Sequence, residues 1–204
     1  RSLMTREKEP QIASEQNAGG VQIMSIHRSK GLEFPVVILC DLNHRFNGAD
    51  QTSPVLVHPR LGLGTERVDT ARRVRYPTIS KIALAQEMEK EMLSEEMRLL
   101  YVAMTRAKEK LILVDCLKNA RSHVQKLSAL TELPVPPQVV RSAKTMGDWL
   151  LQVLLCSTEA GAIHAWAGIA PPVRESAAGW RVYLHENPAT PAAARVQEGE
   201  GARE

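Results

Sequence analysis

Two short apolar runs constrain this chain most. Val36-Val37-Ile38-Leu39-Cys40 is rich in β-branched side chains and closes at Asp41; Lys110-Leu111-Ile112-Leu113-Val114 closes at Asp115. A strand covered on both faces reads as such a continuous run, as in a parallel sheet under helices. Between the runs, past Pro77, the residues Met88, Met92, Leu99 and Ala103 recur at helical spacing, with Thr78 or Ser80 placed to cap the start. This stretch is one long helix or two helices meeting near Ser94. Strand, helix, strand is the α/β pattern, so an α/β fold is expected.

The flanks are less regular. Residues 1–20 are polar, end in Asn17-Ala18-Gly19-Gly20 and read as a linker, and Val21-Gln22-Ile23-Met24 begins an ordered segment. Residues 41–77 carry Pro54, Pro59, Gly62, Gly64 and Pro77 and read as irregular, with Val55-Leu56-Val57 as one short strand. After residue 118, Leu133-Pro134-Val135-Pro136-Pro137 is a stiff connector. Residues 145–155 form an amphipathic helix with Met146, Trp149, Leu150, Val153 and Leu154 on one face, and Thr145 with Asp148 resembles a capping box. Trp180, Val182 and Leu184 alternate like an edge strand. From His185 the tail is Pro, Ala and Glu with few apolar anchors, and disorder is expected over 185–204. No internal repeat is visible.

Composition excludes more than it selects. The 204 residues are 44% hydrophobic with a net charge of +3, a globular and mildly basic balance too weak to argue for nucleic acid by itself. Cys40, Cys116 and Cys156 are far apart and odd in number, which suggests neither a zinc site nor a disulfide framework. Reduced thiols in the cytosol are the simple reading. No apolar run reaches membrane-spanning length. The start lacks an initiator Met and an apolar signal core, so the chain reads as a piece of a longer protein.

Two segments carry chemistry. Ser25-Ile26-His27-Arg28-Ser29-Lys30-Gly31-Leu32-Glu33-Phe34-Pro35 lies just before the first strand. Gly31 permits a turn or a close backbone approach to a ligand, Glu33 can accept from ribose hydroxyls, and Ser, His, Arg and Lys supply donors for phosphate oxygens. The plain alternative is a polar loop between strands. The second segment, Glu95-Glu96-Met97-Arg98-Leu99-Leu100-Tyr101-Val102-Ala103-Met104-Thr105-Arg106-Ala107-Lys108-Glu109-Lys110, spaces Arg98 and Arg106 so that both can point to one side of a helix. Its plain alternative is a solvated face whose ion pairs are each worth a few tenths of a kcal/mol, roughly.

The first segment resembles helicase motif V of the UvrD/PcrA/Rep superfamily, T-x-H-x-x-K-G-L-E-[FW]. The second resembles motif VI, E-E-x-R-[RL]-x-Y-V-[AG]-x-T-R-A. They stand in the right order, each beside its expected strand. The surrounding stretches VQIMSIHRSKGLEFPVVIL and SEEMRLLYVAMTRAKEKLIL are most similar to the AddA family of helicase–nuclease subunits, over about residues 17–155. Two departures matter. Ser25 stands where Thr is usual and keeps the hydroxyl; Met97 stands where UvrD-type motifs carry an Arg, whose contacts are lost.

The resemblance implies a fold: the C-terminal half of the second RecA-like domain, called 2A, with a small α+β extension. Residues 1–20 would then lead from the inserted 2B domain, 21–118 form the half-domain, and 119–184 lead toward a nuclease domain. It implies an ATP-dependent 3′–5′ DNA helicase of double-strand break repair and recombination, with ATP and Mg2+ as cofactors. The implied partners are single- and double-stranded DNA and an AddB-like subunit, with no membrane, in the cytoplasm. Gly31, Glu33 and Arg106 correspond to ATP-binding positions, with Glu33 on the ribose and Arg106 the catalytic arginine reaching the γ-phosphate. Ser25 and His27 correspond to positions near the single-stranded DNA backbone, and Arg98 and Tyr101 to residues tying the helix to neighbouring motifs. A plain UvrD-like repair helicase, a non-catalytic interaction module and a truncated-gene remnant are the alternatives.

No G-x-x-x-x-G-K-[ST] loop occurs in the sequence, so the groups that cradle the phosphates and Mg2+ would lie in the first RecA-like domain, and the chain alone is expected to be inactive. Gly62-Leu63-Gly64 lacks the Lys of a phosphate loop and reads as a turn. Arg67, Arg72, Arg73 and Arg75 read as a solvated basic loop, with a DNA or partner contact as the alternative. Trp149 reads as core; Trp166 and Trp180 are ambiguous.

Overall fold

The computed structural model describes residues 20–129, 134–170 and 179–185. Linker residues 1–19, Leu133 of the connector and the tail from 186 onward lie outside them. The two apolar runs form strands β1 (Phe34–Leu39) and β5 (Ala107–Leu113), paired parallel with Val37 beside Leu111 and Leu39 beside Leu113. The connection between them contains one unbroken helix, α1 (Ile79–Met104), capped by Thr78, whose hydroxyl accepts the N–H of Lys81 at 3.3 Å. The α/β expectation therefore holds, and no break occurs at Ser94.

Burial of β1 is one-sided. Val36 is 48% and Ile38 54% exposed, whereas Leu39 packs against the core of Leu93, Leu100, Ala143 and Trp149. The expectation of cover on both faces fails among the described residues, because helices reach only one side of this two-stranded sheet.

Residues 41–77 are not irregular. They hold a second sheet of β2 (Val55–His58), β3 (Gly62–Asp69) and β4 (Val74–Pro77), antiparallel in the order β2-β3-β4. Its inner face rests on the first half of α1 through Leu56 and Leu84. Gly62-Leu63-Gly64 is strand rather than turn. Gly62 has φ +86, where the hairpin ends, and a Cβ on Gly64 would lie 2.7 Å from the Lys81 Cα. Gly64 thus lets β3 touch the helix backbone. Gly64→Ala should push sheet and helix apart and cost about 1–3 kcal/mol, as overpacking does. Urea unfolding at matched slope checks this, and a midpoint equal to the parent's would refute the close-packing argument.

Ion pairs lock the same seam. Lys81, buried, donates to Glu66 at 2.6 Å. His58, also buried, is 3.0 Å from Glu91, which Arg60 reaches as well. Hydrogen bonds from His58 and then Arg60 hold the Glu91 carboxyl below its ordinary range.

Beyond β5 come helices α2 (Ala120–Ser128), α3 (Pro137–Ser142), α4 (Met146–Leu154) and α5 (Gly161–Ala167). Thr145 caps α4 by accepting the N–H of Asp148 at 3.0 Å, as the sequence suggests. Trp149 is core: it donates to the Val140 carbonyl at 2.8 Å and meets Phe46 at 4.8 Å between ring centroids. The apolar face differs from the one expected. Val153 is 50% exposed, while Leu151, Leu154 and Leu155 pack with Val124, Leu127 and Ile163 in a second cluster. Helix α4 serves two cores, so its apolar residues do not form one stripe. Trp166 lies under Arg121 at 5.2 Å, and residues 179–185 form no strand, although Val182 packs on the second cluster.

At the carboxyl end of β5, Asp115 is packed against α4, with its Oδ2 in the space that a Cβ on Gly147 would need. Burial pushes its carboxyl upward, only partly offset by the Cys116 amide. No helix among the described residues is long and apolar enough to cross a membrane.

Candidate nucleotide and DNA site

The loop before β1 is built by its own backbone. The Ser25 carbonyl accepts the N–H groups of Arg28 at 3.0 Å and Ser29 at 3.2 Å, winding His27–Ser29 into one 3-10 turn. Ser29 is buried and its hydroxyl closes the turn on the Ile26 carbonyl at 2.7 Å. Gly31 follows with φ +84. Nothing lies within 4 Å of the position its Cβ would take, so conformation rather than space requires glycine here. Ser25 and His27 stand side by side along this loop, and both are exposed.

The second segment meets this loop at the exit of α1. The helix ends at Met104 because the Thr105 hydroxyl turns back onto the carbonyls of Tyr101 and Val102, both at 3.0 Å. Arg106 therefore lies beyond the helix and shares no helical face with Arg98, contrary to the expectation from their spacing. Its Nε donates to the Val102 carbonyl at 3.0 Å, Nη1 to the Leu32 carbonyl at 3.1 Å and Nη2 to the Thr105 hydroxyl at 3.1 Å. Its own carbonyl accepts the N–H of Phe34 at 2.9 Å. Arg106 pairs with neither Glu95 nor Glu109, the partners that a solvated helix face would supply.

A guanidinium carries five N–H donors in a rigid fork. The three bonds above leave one N–H on each terminal nitrogen, a pair suited to phosphate oxygens. Two residues on from Arg106, Lys108 reaches Glu33 at 3.1 Å, both side chains more than half exposed. Such a surface pair is worth about 0–1 kcal/mol, so Glu33 can exchange it for sugar hydroxyls.

The fold thus gathers Gly31, Glu33 and Arg106 at the amino ends of β1 and β5, with Ser25 and His27 a few residues upstream. This is the opposite end from the crevice where open α/β sheets commonly bind ligands. A side chain here is placed to reach out toward another domain. Arg98 forms an exposed pair with Glu95 at 3.1 Å, the plain reading of that face, and Tyr101 is 69% exposed. No sequence signal marks the Leu32 carbonyl or Lys108 as parts of the site. A backbone acceptor has no side-chain signature, and Lys108 is one of several Lys and Glu residues in its run. Among the described residues no cluster of His, Cys, Asp or Glu could hold a metal ion.

The UvrD-like helicase C-terminal domain model matches residues 2–118, which include both segments. The chain belongs to the UvrD-like helicase C-terminal domain family. Several relatives are named as the AddA component of an ATP-dependent helicase/nuclease. This UvrD-like chain is 42% identical to the one from Thermoanaerobacter pseudethanolicus over 171 residues, 83% of this chain and 14% of the relative. With that of Heliobacterium modesticaldum it shares 46% over 156 residues, 74% of this chain and 11% of the relative. The Clostridium botulinum protein is 46% identical over 142 residues, 69% and 11% of the two chains. The chain therefore spans only 11–14% of the length of these relatives.

Proposed function

We propose that this chain is part of an AddA-type helicase–nuclease protein, an ATP-dependent 3′–5′ DNA helicase acting in the cytoplasm in double-strand break repair and recombination. Residues 21–118 form the C-terminal half of its 2A domain, 119–184 lead toward a nuclease domain, and the partner is an AddB-like protein. The half-domain supplies one wall of the ATP site and part of the track for single-stranded DNA. The observation that carries this reading is the docking of Arg106 on the Leu32 carbonyl, which joins motif VI to motif V and leaves two donors directed outward.

Each residue has a role in this reading. Arg106 offers its two remaining N–H groups to the γ-phosphate held on the facing domain. Glu33 leaves Lys108 and accepts from the ribose, and Gly31 shapes the backbone between them. Ser25 and His27 donate to DNA phosphates, contacts that position the strand without reading its sequence. Bound ATP supplies the free energy of hydrolysis, and Mg2+ would sit on the first RecA-like domain.

The test uses the full-length protein on partial duplexes with a single-stranded tail at one 3′ or one 5′ end. ATP-dependent strand separation from the 3′ tail supports the reading. Separation from the 5′ tail alone overturns the polarity, and the absence of DNA-stimulated hydrolysis overturns the motor.

A further inference from the structure

The basic cluster that reads in the sequence as a loop is a β-hairpin. Arg67 lies on β3, Arg72 and Arg73 in the turn, and Arg75 on β4, and all four are exposed. Among the described residues none of the four forms an ion pair. The carboxylates of the hairpin are already engaged: Glu66 with Lys81 at 2.6 Å, and Asp69 with the backbone N–H of Arg72 at 3.0 Å. The arginine charge is therefore presented to solvent without local neutralisation.

Register fixes its direction. Arg67 pairs with Tyr76 and Arg75 with Val68, so the two guanidinium groups leave opposite faces of the ribbon. The turn adds two more at the tip. A surface that tracks a single strand needs charge along one groove with aromatic platforms for the bases. A ribbon basic on both faces and at its tip meets phosphates on two sides, as the groove of a duplex presents them; a major groove about 12 Å wide admits a two-stranded ribbon.

The base of the ribbon is firm. The Thr78 hydroxyl donates to the Thr65 carbonyl at 2.6 Å, the Glu66 N–H to the Pro54 carbonyl at 3.3 Å, and Gly64 lies against α1. The ribbon adjoins the first turn of α1, and Arg106 follows its last. The 26 residues between span about 39 Å at 1.5 Å each. This face is thus remote from Ser25, His27 and Arg106.

We infer that the β3–β4 hairpin is a duplex-DNA-binding arm, which inserts its arginine-bearing tip into a groove and contacts the phosphates of both strands without reading sequence. The inference rests on the reading of the chain as part of a DNA motor, but binding is measured without ATP and is separable from it.

The experiment titrates the full-length protein onto a blunt duplex and onto oligothymidylate by fluorescence anisotropy over a salt series. The variant carries Arg67→Gln, Arg72→Gln, Arg73→Gln and Arg75→Gln together. Four lost phosphate contacts should shrink the salt slope for duplex by about 3–4 and lower the ratio of duplex to single-strand affinity by about tenfold or more. Melting temperature checks the fold, and Arg72→Glu with Arg73→Glu, confined to the exposed turn, gives a second variant with the same expected direction. An unchanged slope and ratio overturn the arm. Equal losses on duplex and oligothymidylate overturn the duplex assignment. Unchanged DNA binding with loss of the partner protein overturns it in favour of a protein contact. Failure of the parent to hydrolyse ATP on DNA would strike the motor reading, while the duplex slope would still decide the arm. Loss of single-strand binding in Ser25→Ala with His27→Ala speaks only to the track.

Discussion

Arg106→Ala in the full-length protein is expected to lower DNA-stimulated ATP turnover by about 10³–10⁵-fold, the range for an arginine that stabilises charge on a transferring phosphoryl group. Three of its N–H groups are fixed by the Val102, Leu32 and Thr105 oxygens, so the two that remain are oriented before nucleotide arrives. Such donors act without reorganisation as charge develops on the phosphoryl oxygens. Ground-state ATP affinity should change far less, because the contact strengthens in the transition state. Arg106→Lys should not rescue, since an ammonium cannot hold the Leu32 and Val102 carbonyls as a fork and still face phosphate. The competing account makes Arg106 only a staple between the exit of α1 and the motif V loop. It predicts a stability loss of a few kcal/mol, roughly, from three hydrogen bonds, with near-normal hydrolysis below the melting temperature. Steady-state ATPase with saturating single-stranded DNA, read beside the melting curve, separates the two. Turnover within about tenfold of the parent, far short of that range, would favour the staple.

The elements framing this site are legible because each carries an undisguised pattern. The runs at Val36 and Leu111 are short, β-branched and closed by Asp41 and Asp115, and Thr78 caps α1 as a hydroxyl before an apolar period should. The β2–β3–β4 sheet is hidden for definite reasons. Val55-Leu56-Val57 is apolar at every position, yet only Leu56 is buried, so no alternation shows. Gly62 and Gly64 read as turn residues, whereas Gly64 is a strand residue whose missing Cβ admits a helix backbone. Arg106 is found by its motif and misplaced by periodicity. Helical spacing continues through Thr105, and nothing in composition announces that the Thr105 hydroxyl will turn back and end the helix. Glu33 is readable as an acceptor, but its present partner, Lys108, comes from a strand far along the chain. Local patterns specify elements; contacts between distant segments depend on the register in which β1 and β5 pair.

The same register gives Gly31 its leverage. Gly31→Ala should lower turnover by about 10²-fold, the scale on which a displacement of about 1 Å reduces rate, while leaving the fold largely intact. An alanine here would meet no atom within 4 Å, so any effect must come through the backbone. At φ +84 an L residue is strained by about 1–2 kcal/mol, and the loop can relieve this by rotating the following peptide. That peptide bears the Leu32 carbonyl, the acceptor that aims Arg106. Its rotation would release Nη1 and move the carboxylate of Glu33 one residue further on. Turnover and ribose recognition should therefore fall together, although neither acting side chain has been touched. Gly31→Asn separates conformation from contact, since asparagine tolerates the left-handed region better than alanine does. Activity ordered Gly, then Asn, then Ala is the expected result, with discrimination between ATP and a nucleotide lacking the ribose hydroxyls falling in the same order. Should Asn and Ala be equally poor, the loop is crowded by nucleotide itself, and Gly31 acts by letting the backbone approach it. Should both match the parent, the Leu32 carbonyl does not aim Arg106.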